Sequence, residues 1–580
     1  MLVLKWNSMK QYINKVAVAM FASVLMSGCA DDSVLGFPVE KPESIAELEY
    51  LNEYASLKSY IDRSANPNFK LGTGVSVRDY ISGGIVYRLT NANFDEMTAG
   101  NAMKHSSCVK DDGSMAFSQV TRFVEMAQEV GLTIYGHTLA WHSQQNNSYL
   151  NSLVASNKAL HIHTDEAKEN PWDWELYYNL DQPLVVGKEY TIKMKAKGAP
   201  AFNNICFWPG DGTNTQYLPS FNAGEALAET SITFTADYAL NVMRFCFGQF
   251  AGDLYFDDLS LKETGSDVEL IQNSSFDEDD LAHFSKPSWV DYTYVIESVA
   301  DGASGSLNPE EKKEIIAEAM DNWINGMMEA CGGYVTTWDV VNEALSGVDQ
   351  DGDGIYDLQS ATRGTVSKED AKNNFYWQDY LGDEDYVRMA VRLARQHFAE
   401  HEGNAADLKL FINDYNLESD WDDNKKLKSL IAWIGKWEAD GVTKLDGIGT
   451  QMHVSYYLNQ DIQKSKEDHV VKMLELLAAS GKLVKISELD MGIIGMDGAS
   501  IMTKDVTLEQ RKAMAEYYQF IVRKYFEIIP TAQQYGITQW AQTDSPENSG
   551  WRKGEPIGLW TLDYDRNPSY AGFADGLAGK

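Results

Sequence analysis

Basic residues are scarce in this chain: 49 lysines and arginines stand against 85 aspartates and glutamates, a formal net charge of −36 over 580 residues. So acidic a surface repels nucleic acid and anionic lipid, which removes both from the expected partners. A neutral polymer such as a polysaccharide is not repelled. Long apolar runs are missing too. Val16 to Met26 is apolar but too short to span a bilayer, and no other segment is long and apolar enough. Cysteine is sparse: besides Cys29 there are Cys108, Cys206, Cys246 and Cys331, none with metal-ligand spacing. Cys206 and Cys246 lie in strand-like runs, and either a disulfide between them or two buried free thiols fits an exported chain. Aromatic residues, by contrast, reach 12%, with 15 tryptophans. Sugar rings stack their C–H faces on such side chains, but aromatics are also ordinary core material, so composition does not choose.

The first residues carry an export signal. Lys10 and Lys15 precede the short apolar run, and Met26-Ser27-Gly28-Cys29 follows it. Small residues before a cysteine resemble a bacterial lipobox, with Met26 standing where leucine is commoner. Asp31 and Asp32 resemble the acidic export tag of Bacteroides-type surface lipoproteins. The expectation is a signal peptide over 1–28, lipidation of Cys29, a tether over 29–49, and a monomer anchored on the outer membrane and exposed at the cell surface. A plain secretory signal with a chance cysteine is the alternative.

A chain of 580 residues is too long for one compact core. From about residue 50 it alternates apolar strands with amphipathic helices. Strand-like runs are Leu71 to Val75, Asn93 to Met97, Leu132 to Gly136, Tyr334 to Val341, Leu408 to Asn413, Gly447 to Met452, Leu483 to Glu488 and Gly536 to Trp540. Helical stretches between them include Phe117 to Val130, Pro309 to Ala330, Asp385 to Glu400, Asp423 to Ala439, Lys466 to Ala479 and Leu508 to Ile528. Eight strands each followed by a helix predict an α/β fold, a (β/α)8 TIM barrel, built from residues 50–154 and 301–580. Between 155 and 300 the helical period gives way to short alternating runs separated by Gly, Asn and Asp, which predicts an all-β sandwich inserted after the third strand. The fragment Leu270 to Ser298 either completes that sandwich or leads back to the barrel.

Two motifs end barrel strands on carboxylates. Trp338-Asp339-Val340-Val341-Asn342-Glu343-Ala344 closes the fourth, and Lys485-Ile486-Ser487-Glu488-Leu489-Asp490 the seventh. Catalytic groups of such barrels lie at the carboxyl ends of strands. Two carboxylates on one rim suit an acid/base and a nucleophile in glycoside hydrolysis. Either alone would equally suit a salt bridge.

Together with Gly136-His137-Thr138-Leu139-Ala140-Trp141-His142-Ser143-Gln144, Leu410 to Asn416 and Gly449-Thr450-Gln451-Met452-His453, these motifs closely resemble glycoside hydrolase family 10, over residues 50–150 and 305–580. The resemblance implies a retaining endo-β-1,4-xylanase acting on xylan or xylo-oligosaccharides, with Glu343 as acid/base and Glu488 as nucleophile. It also implies sugar-binding roles for Asn101, Lys104, His137, Trp141, Gln144, Asn342, Tyr415, Gln451 and His453, with Trp540 and Trp551 as an aromatic floor. Asn342 is expected on a sugar hydroxyl and His453 on Glu488. The chain departs from the family at Gly100-Asn101-Ala102-Met103-Lys104, where members read Glu-Asn-Glu-Met-Lys, so grip on the glycone side should be weaker. The insert resembles carbohydrate-binding modules of the family 4, 9 and 22 type, most plainly at Leu254 to Leu261. No cofactor is expected. Asp349, Asp351 and Asp353 resemble the start of a calcium loop, but its twelfth position is Ser360 where an EF-hand needs Glu. A β-1,4-glucanase with the same machinery and a non-catalytic glycan-binding lipoprotein remain the alternative functions.

Overall fold

The computed structural model describes residues 47–154, 158–266, 268–276, 280–298 and 307–580. The expected signal peptide, Cys29 and most of the tether lie outside the described residues. The chain divides into a unit over Met1–Tyr54, described only from Glu47, where Glu49–Glu53 make a 3-10 turn, and a unit over Ala55–Lys580. No helix among the described residues is long and apolar enough to cross a membrane.

Eight strands of the second unit close into a parallel barrel: β1 (Lys70–Val75), β2 (Glu96–Ala99), β3 (Thr133–Ala140), β4 (Thr337–Asn342), β5 (Lys409–Tyr415), β6 (Gly447–Gln451), β7 (Leu483–Ile494) and β8 (Gln534–Gln539). Each pairs with the next, and β1 pairs with β8 through Lys70 opposite Gly536, which completes the ring. The strands are buried on both faces, as parallel strands covered by helices must be; every residue of β4 is buried. Outer helices follow the strands: α1 (Ile85–Asn93), α2 (Ser118–Val130), α3 (Pro309–Cys331), α4 (Asp385–Glu400), α5 (Lys425–Glu438), α6 (Gln460–Ala479), α7 (Leu508–Ile528) and α8 (Pro568–Leu577). In α4 the buried set Tyr386, Val387, Ala390, Val391, Leu393, Ala394, His397 and Phe398 recurs at three- and four-residue steps, one helical stripe against the barrel. Helix α3 starts with Pro309 behind a capping box of Asn308 and Glu311, and stops at Gly332 in the left-handed region (φ 53°).

Sequence and structure part at several boundaries; the helix expected from Lys466 starts at Gln460 and the strand expected from Tyr334 at Thr337. Asn93 ends α1 rather than opening β2. Its side chain is used up there, donating to the Leu89 carbonyl and accepting from the Leu57 N–H. β3 runs on to Ala140 and β7 to Ile494, past the expected ends. The extension of β7 is paired by a short parallel strand, His453–Tyr457.

Between β3 and α3, residues 158–298 form two five-stranded antiparallel sheets. One runs in the order Phe284–Ser285, Glu175–Asn179, Val242–Cys246, Phe202–Phe207, Ser220–Ala223. The other runs Thr293–Ser298, Lys158–Thr164, Gly252–Glu263, Glu189–Ala199, Ala228–Thr235. A shared core fills the space between them, with Ile162, Leu176, Ile192, Phe207, Phe245 and Phe256 fully buried. The fragment after Leu270 completes the sandwich with an edge strand for each sheet. Cys206 and Cys246 stand opposite each other on paired strands and are free, buried thiols.

Candidate active site

The carboxyl ends of the barrel strands surround a cleft of ≈ 1160 Å³. Asn101, Lys104, His137, Trp141, Gln144, Glu343, Tyr415, Gln451, His453, Glu488, Trp540 and Trp551 all line it. Asn342 does not. It is 1% exposed; its Nδ2 donates to Glu343 Oε1 (3.3 Å), and its Oδ1 accepts from Asn413 Nδ2 (2.9 Å). Asn342 therefore touches the acid directly, and the second N–H of its amide is left for another acceptor.

Glu343 sits just past the end of β4 with φ 54°, its backbone N–H tied to the Asn413 carbonyl (2.8 Å). Trp141 Nε1 donates to its Oε2 at 3.0 Å. Glu488, inside β7, receives Asn413 Nδ2 at 3.3 Å, and its Oε2 lies 3.2 Å from His453 Nε2. One NH2 group spans the two acids: Gln451 Nε2 donates to Glu343 Oε1 at 3.2 Å and to Glu488 Oε1 at 2.8 Å. Those two oxygens can be no further apart than both distances laid end to end, about 6 Å. Retaining glycosidases hold their carboxyl groups roughly 5–5.5 Å apart, and inverting ones about 6.5–9.5 Å.

The environments push the two acids in opposite directions. Burial, helped by the charges of Asp414 and Glu488, lifts the Glu343 carboxyl from 4.5 to about 7, against the lowering bonds from Trp141 and Gln451. Burial acts on Glu488 most strongly of all, yet it is overcome. The His453 hydrogen bond, the nearby His137 and His453 charges and the Gln451 amide bring it down to about 2. His453 shows the same contest: burial lowers it, but the carboxylates of Asp490 and Glu488 raise it to about 10, so the ring is an imidazolium at neutral pH. Its Nδ1 lies 3.1 Å from Asp490 Oδ2. Asp490 is held in turn by Arg552 Nη1 and Trp551 Nε1, both at 2.8 Å. A protonated acid beside an ionised one, at the same pH, is the arrangement that an acid and a nucleophile would need.

The remaining cleft residues are set for a polar ligand. His137 is fixed by Asp339 (Nδ1 to Oδ2, 2.8 Å), and the Lys104 ammonium rests on Asn101 Oδ1 (3.1 Å) and over the Trp141 ring. Burial lowers the Lys104 pKa. Gly100 and Ala102 also line the cleft, and a Cβ on Gly100 would meet nothing closer than the Val75 carbonyl at 3.5 Å. That side of the cleft is open for want of side chains.

Sequence reasoning assigned no role to Asn413, Asp490 or Arg552. The first two lie inside the quoted motifs, but the residues they position are distant in sequence. Arg552 follows Trp551 directly, but nothing local pairs it with Asp490. The acidic loop brings single oxygens of Asp349, Asp351 and Asp353 within 4.8 Å of one another. Lys425 already neutralises Asp349 (2.7 Å), and Ser360, the twelfth position, bonds to Asp379 instead of facing the loop. The loop fits calcium poorly, since a cation would have to displace an ammonium and lacks the bidentate ligand.

A family model described as "Glycosyl hydrolase family 10" matches residues 60–168 and 285–575. Among curated proteins, "Endo-1,4-beta-xylanase C" of Paenibacillus barcinonensis is 30% identical over 239 residues, 40% of this chain and 19% of its own length. "Endo-1,4-beta-xylanase A" of Caldicellulosiruptor saccharolyticus is 26% identical over 264 residues, 44% of this chain and 64% of its own length. The chain thus spans less than two thirds of either. Among solved structures, xylanase B from Clostridium stercorarium F9 aligns with a TM-score of 0.51 at 16% identity, over 90% of this chain and all of that one. That likeness shows the fold alone.

Proposed function

Since the chain belongs to glycosyl hydrolase family 10, we propose that it cleaves β-1,4-xylosidic bonds within xylan by double displacement, with Glu343 as acid/base and Glu488 as nucleophile. The observation that carries this is the pair itself: two carboxyl groups joined by one Gln451 amide, one carboxyl held near 7 and the other near 2. At neutral to mildly acidic pH Glu488 is a carboxylate free to attack the anomeric carbon. Glu343 gives its proton to the departing glycosidic oxygen. A glycosyl ester on Glu488 results, and the shortened chain leaves with a new hydroxyl. The ester carries no charge, so one of the influences raising Glu343 disappears and its pKa falls. Glu343 then takes a proton from water, the water oxygen attacks the anomeric carbon, and Glu488 departs as carboxylate. The shared Gln451 donor draws one oxygen of each acid close to the other, as a retaining pair requires, whereas an inverting pair needs room for water between its acids.

Xylan is the substrate on the strength of the relatives' names. Xylose lacks the hydroxymethyl group of glucose, so the choice rests on crowding around that carbon. The test is release of reducing sugar from xylan and from carboxymethylcellulose, with Glu488→Gln as control. Comparable rates on both would make the enzyme a β-1,4-glucanase as well. No release from either would leave a glycan-binding protein.

The sandwich is read as a xylan-binding module. Of four aromatics suited to stacking, Trp174 is core, whereas Trp172 and Tyr217 are 50% and 72% exposed and flank the half-buried Trp208, with ring centroids 6.2 and 5.4 Å away. The isolated module, residues 155–300, should bind xylohexaose; if it folds and does not, the sandwich is a spacer. We further place the protein on the outer membrane through a lipidated Cys29, which a Cys29→Ala variant released from the membrane fraction would support.

A further inference from the structure

On the outer face of the second sandwich sheet, outside every motif quoted above, two histidines and one aspartate converge. Leu160 and Ile162 of the strand Lys158–Thr164 point into the core, so His161 and His163 project outward, two residues apart. Leu254 and Phe256 do the same on the neighbouring strand, which turns Asp253 and Tyr255 outward. The register sets Asp253 opposite His163 and Tyr255 opposite His161. One oxygen, Asp253 Oδ1, then lies 2.8 Å from His161 Nε2 and 2.7 Å from His163 Nδ1.

The other nitrogen of each ring also faces a carboxylate. His161 Nδ1 is 2.8 Å from Glu297 Oε1, and His163 Nε2 is 3.3 Å from Asp165 Oδ1. A neutral imidazole has one N–H and one lone pair. With acceptors on both sides, a neutral ring must aim its lone pair at an oxygen. A cation beside Asp253 removes that conflict for both rings together. Each keeps its N–H on Glu297 or Asp165 and turns its lone pair to the metal. Carboxylates on the outer nitrogens of ligating histidines are the usual way such rings are fixed and made more basic.

We propose that His161 Nε2, His163 Nδ1 and Asp253 bind a divalent transition-metal ion of the zinc class. Two imidazoles and a carboxylate suit Zn2+ over Ca2+ or Mg2+, which prefer oxygen alone. At Zn–N and Zn–O lengths near 2.1 Å, tetrahedral ligands stand roughly 3.4 Å apart, so each nitrogen needs to move from Asp253 Oδ1, now 2.8 and 2.7 Å away, by about 0.7 Å. His161 is already braced, its ring stacked on Tyr255 at 4.6 Å and 10°. His163 and Asp253 are partly exposed, which leaves the fourth position to water. The ion would tie the first strand of the insert to its central strand, while Glu297 brings in the last.

The test uses the full chain, stripped with chelator and titrated calorimetrically with ZnCl2 at pH 7.5. One ion should bind with a dissociation constant tighter than about 100 μM. Co2+ in its place should give the intense visible bands of a four-coordinate site. His163→Gln and Asp253→Asn, checked for folding by circular dichroism, should each weaken binding at least tenfold and abolish those bands. Glu297→Gln should weaken it roughly 10–100-fold through the ring it orients. Weaker binding by the wild type, or binding unchanged in His163→Gln, overturns the proposal. The second result would place the ion elsewhere in the chain, and the first would leave the cluster as a hydrogen-bonded network without a metal.

Discussion

Replacing His453 by glutamine removes one positive charge from the nucleophile and leaves an amide that can still donate to it. Glu488 is 5% exposed, and burial is the strongest single influence on it, acting to raise its pKa. Holding its carboxyl at about 2 instead of 4.5 represents about 3 kcal/mol of preference for the ionised form. His453 supplies both a hydrogen bond and a charge to that preference, and Gln451 supplies a further bond. In His453→Gln the charge is gone while the burial remains, so the Glu488 pKa should climb above 4.5. Attack requires the carboxylate, so activity is lost as pH falls through that pKa. The acid limb of kcat/KM should therefore move from about 2 to above 4.5. The assay is hydrolysis of a dinitrophenyl β-xylobioside from pH 2.5 to 8, read as initial rates. Its leaving group needs no proton, so Glu343 drops out of the profile and Glu488 alone sets the limb. A His453→Gln rate that stays level from pH 8 down to about 3, as the wild type should, would refute the electrostatic account of this nucleophile.

Glu343→Ala should nearly abolish hydrolysis of xylan, yet spare the glycosylation step on dinitrophenyl glycosides. Azide should rescue its turnover as the β-glycosyl azide, detected by NMR, and full xylanase activity without azide would remove Glu343 from the acid role. Glu488→Gln should be inactive while binding xylo-oligosaccharides within about tenfold of wild type by calorimetry, because the amide keeps the shape but cannot attack. A mechanism-based fluorosugar should label Glu488 alone, as read by peptide mass. Trp141→Phe removes a bond that lowers the Glu343 pKa, so the alkaline limb on substrates with poor leaving groups should rise above its wild-type position near 7. Lys485→Met strands Glu96 in the barrel interior, where both side chains are within 1% of full burial. Thermal unfolding should show a loss at the low end of 3–5 kcal/mol, since Tyr535 and Thr133 still donate to Glu96.

The barrel was legible because its outer helices are striped: in α4 and α7 the periodicity alone placed both ends. Strand ends were less legible, since a strand buried on both faces carries no alternation to mark where it stops; hence the overruns of β3 and β7. The two acids could be found because each closes a strand in a short motif. What local pattern could not show is direction. Asn342 adjoins Glu343 in sequence, but whether its amide faces sugar or protein depends on Asn413 and Gln451, 71 and 109 residues away. The same holds for the ion pair of Asp490 with Arg552, and for Asp253, which meets two histidines 90 and 92 residues earlier.

The first and last strands of the insert are hydrogen-bonded neighbours, Thr293 opposite His163 and Ser298 opposite Lys158. Neighbouring strands lie about 4.8 Å apart, so once folded the insert returns the chain almost to where it departed. To the assembling barrel it then counts as a short loop. Left unfolded, the same roughly 140 residues would have to be closed as a random chain before β3 could meet β4, at a cost about 2 kcal/mol above that of a ten-residue connection. The closure cost of the ring is therefore lower when the sandwich is already folded, because the connection between β3 and β4 is then short.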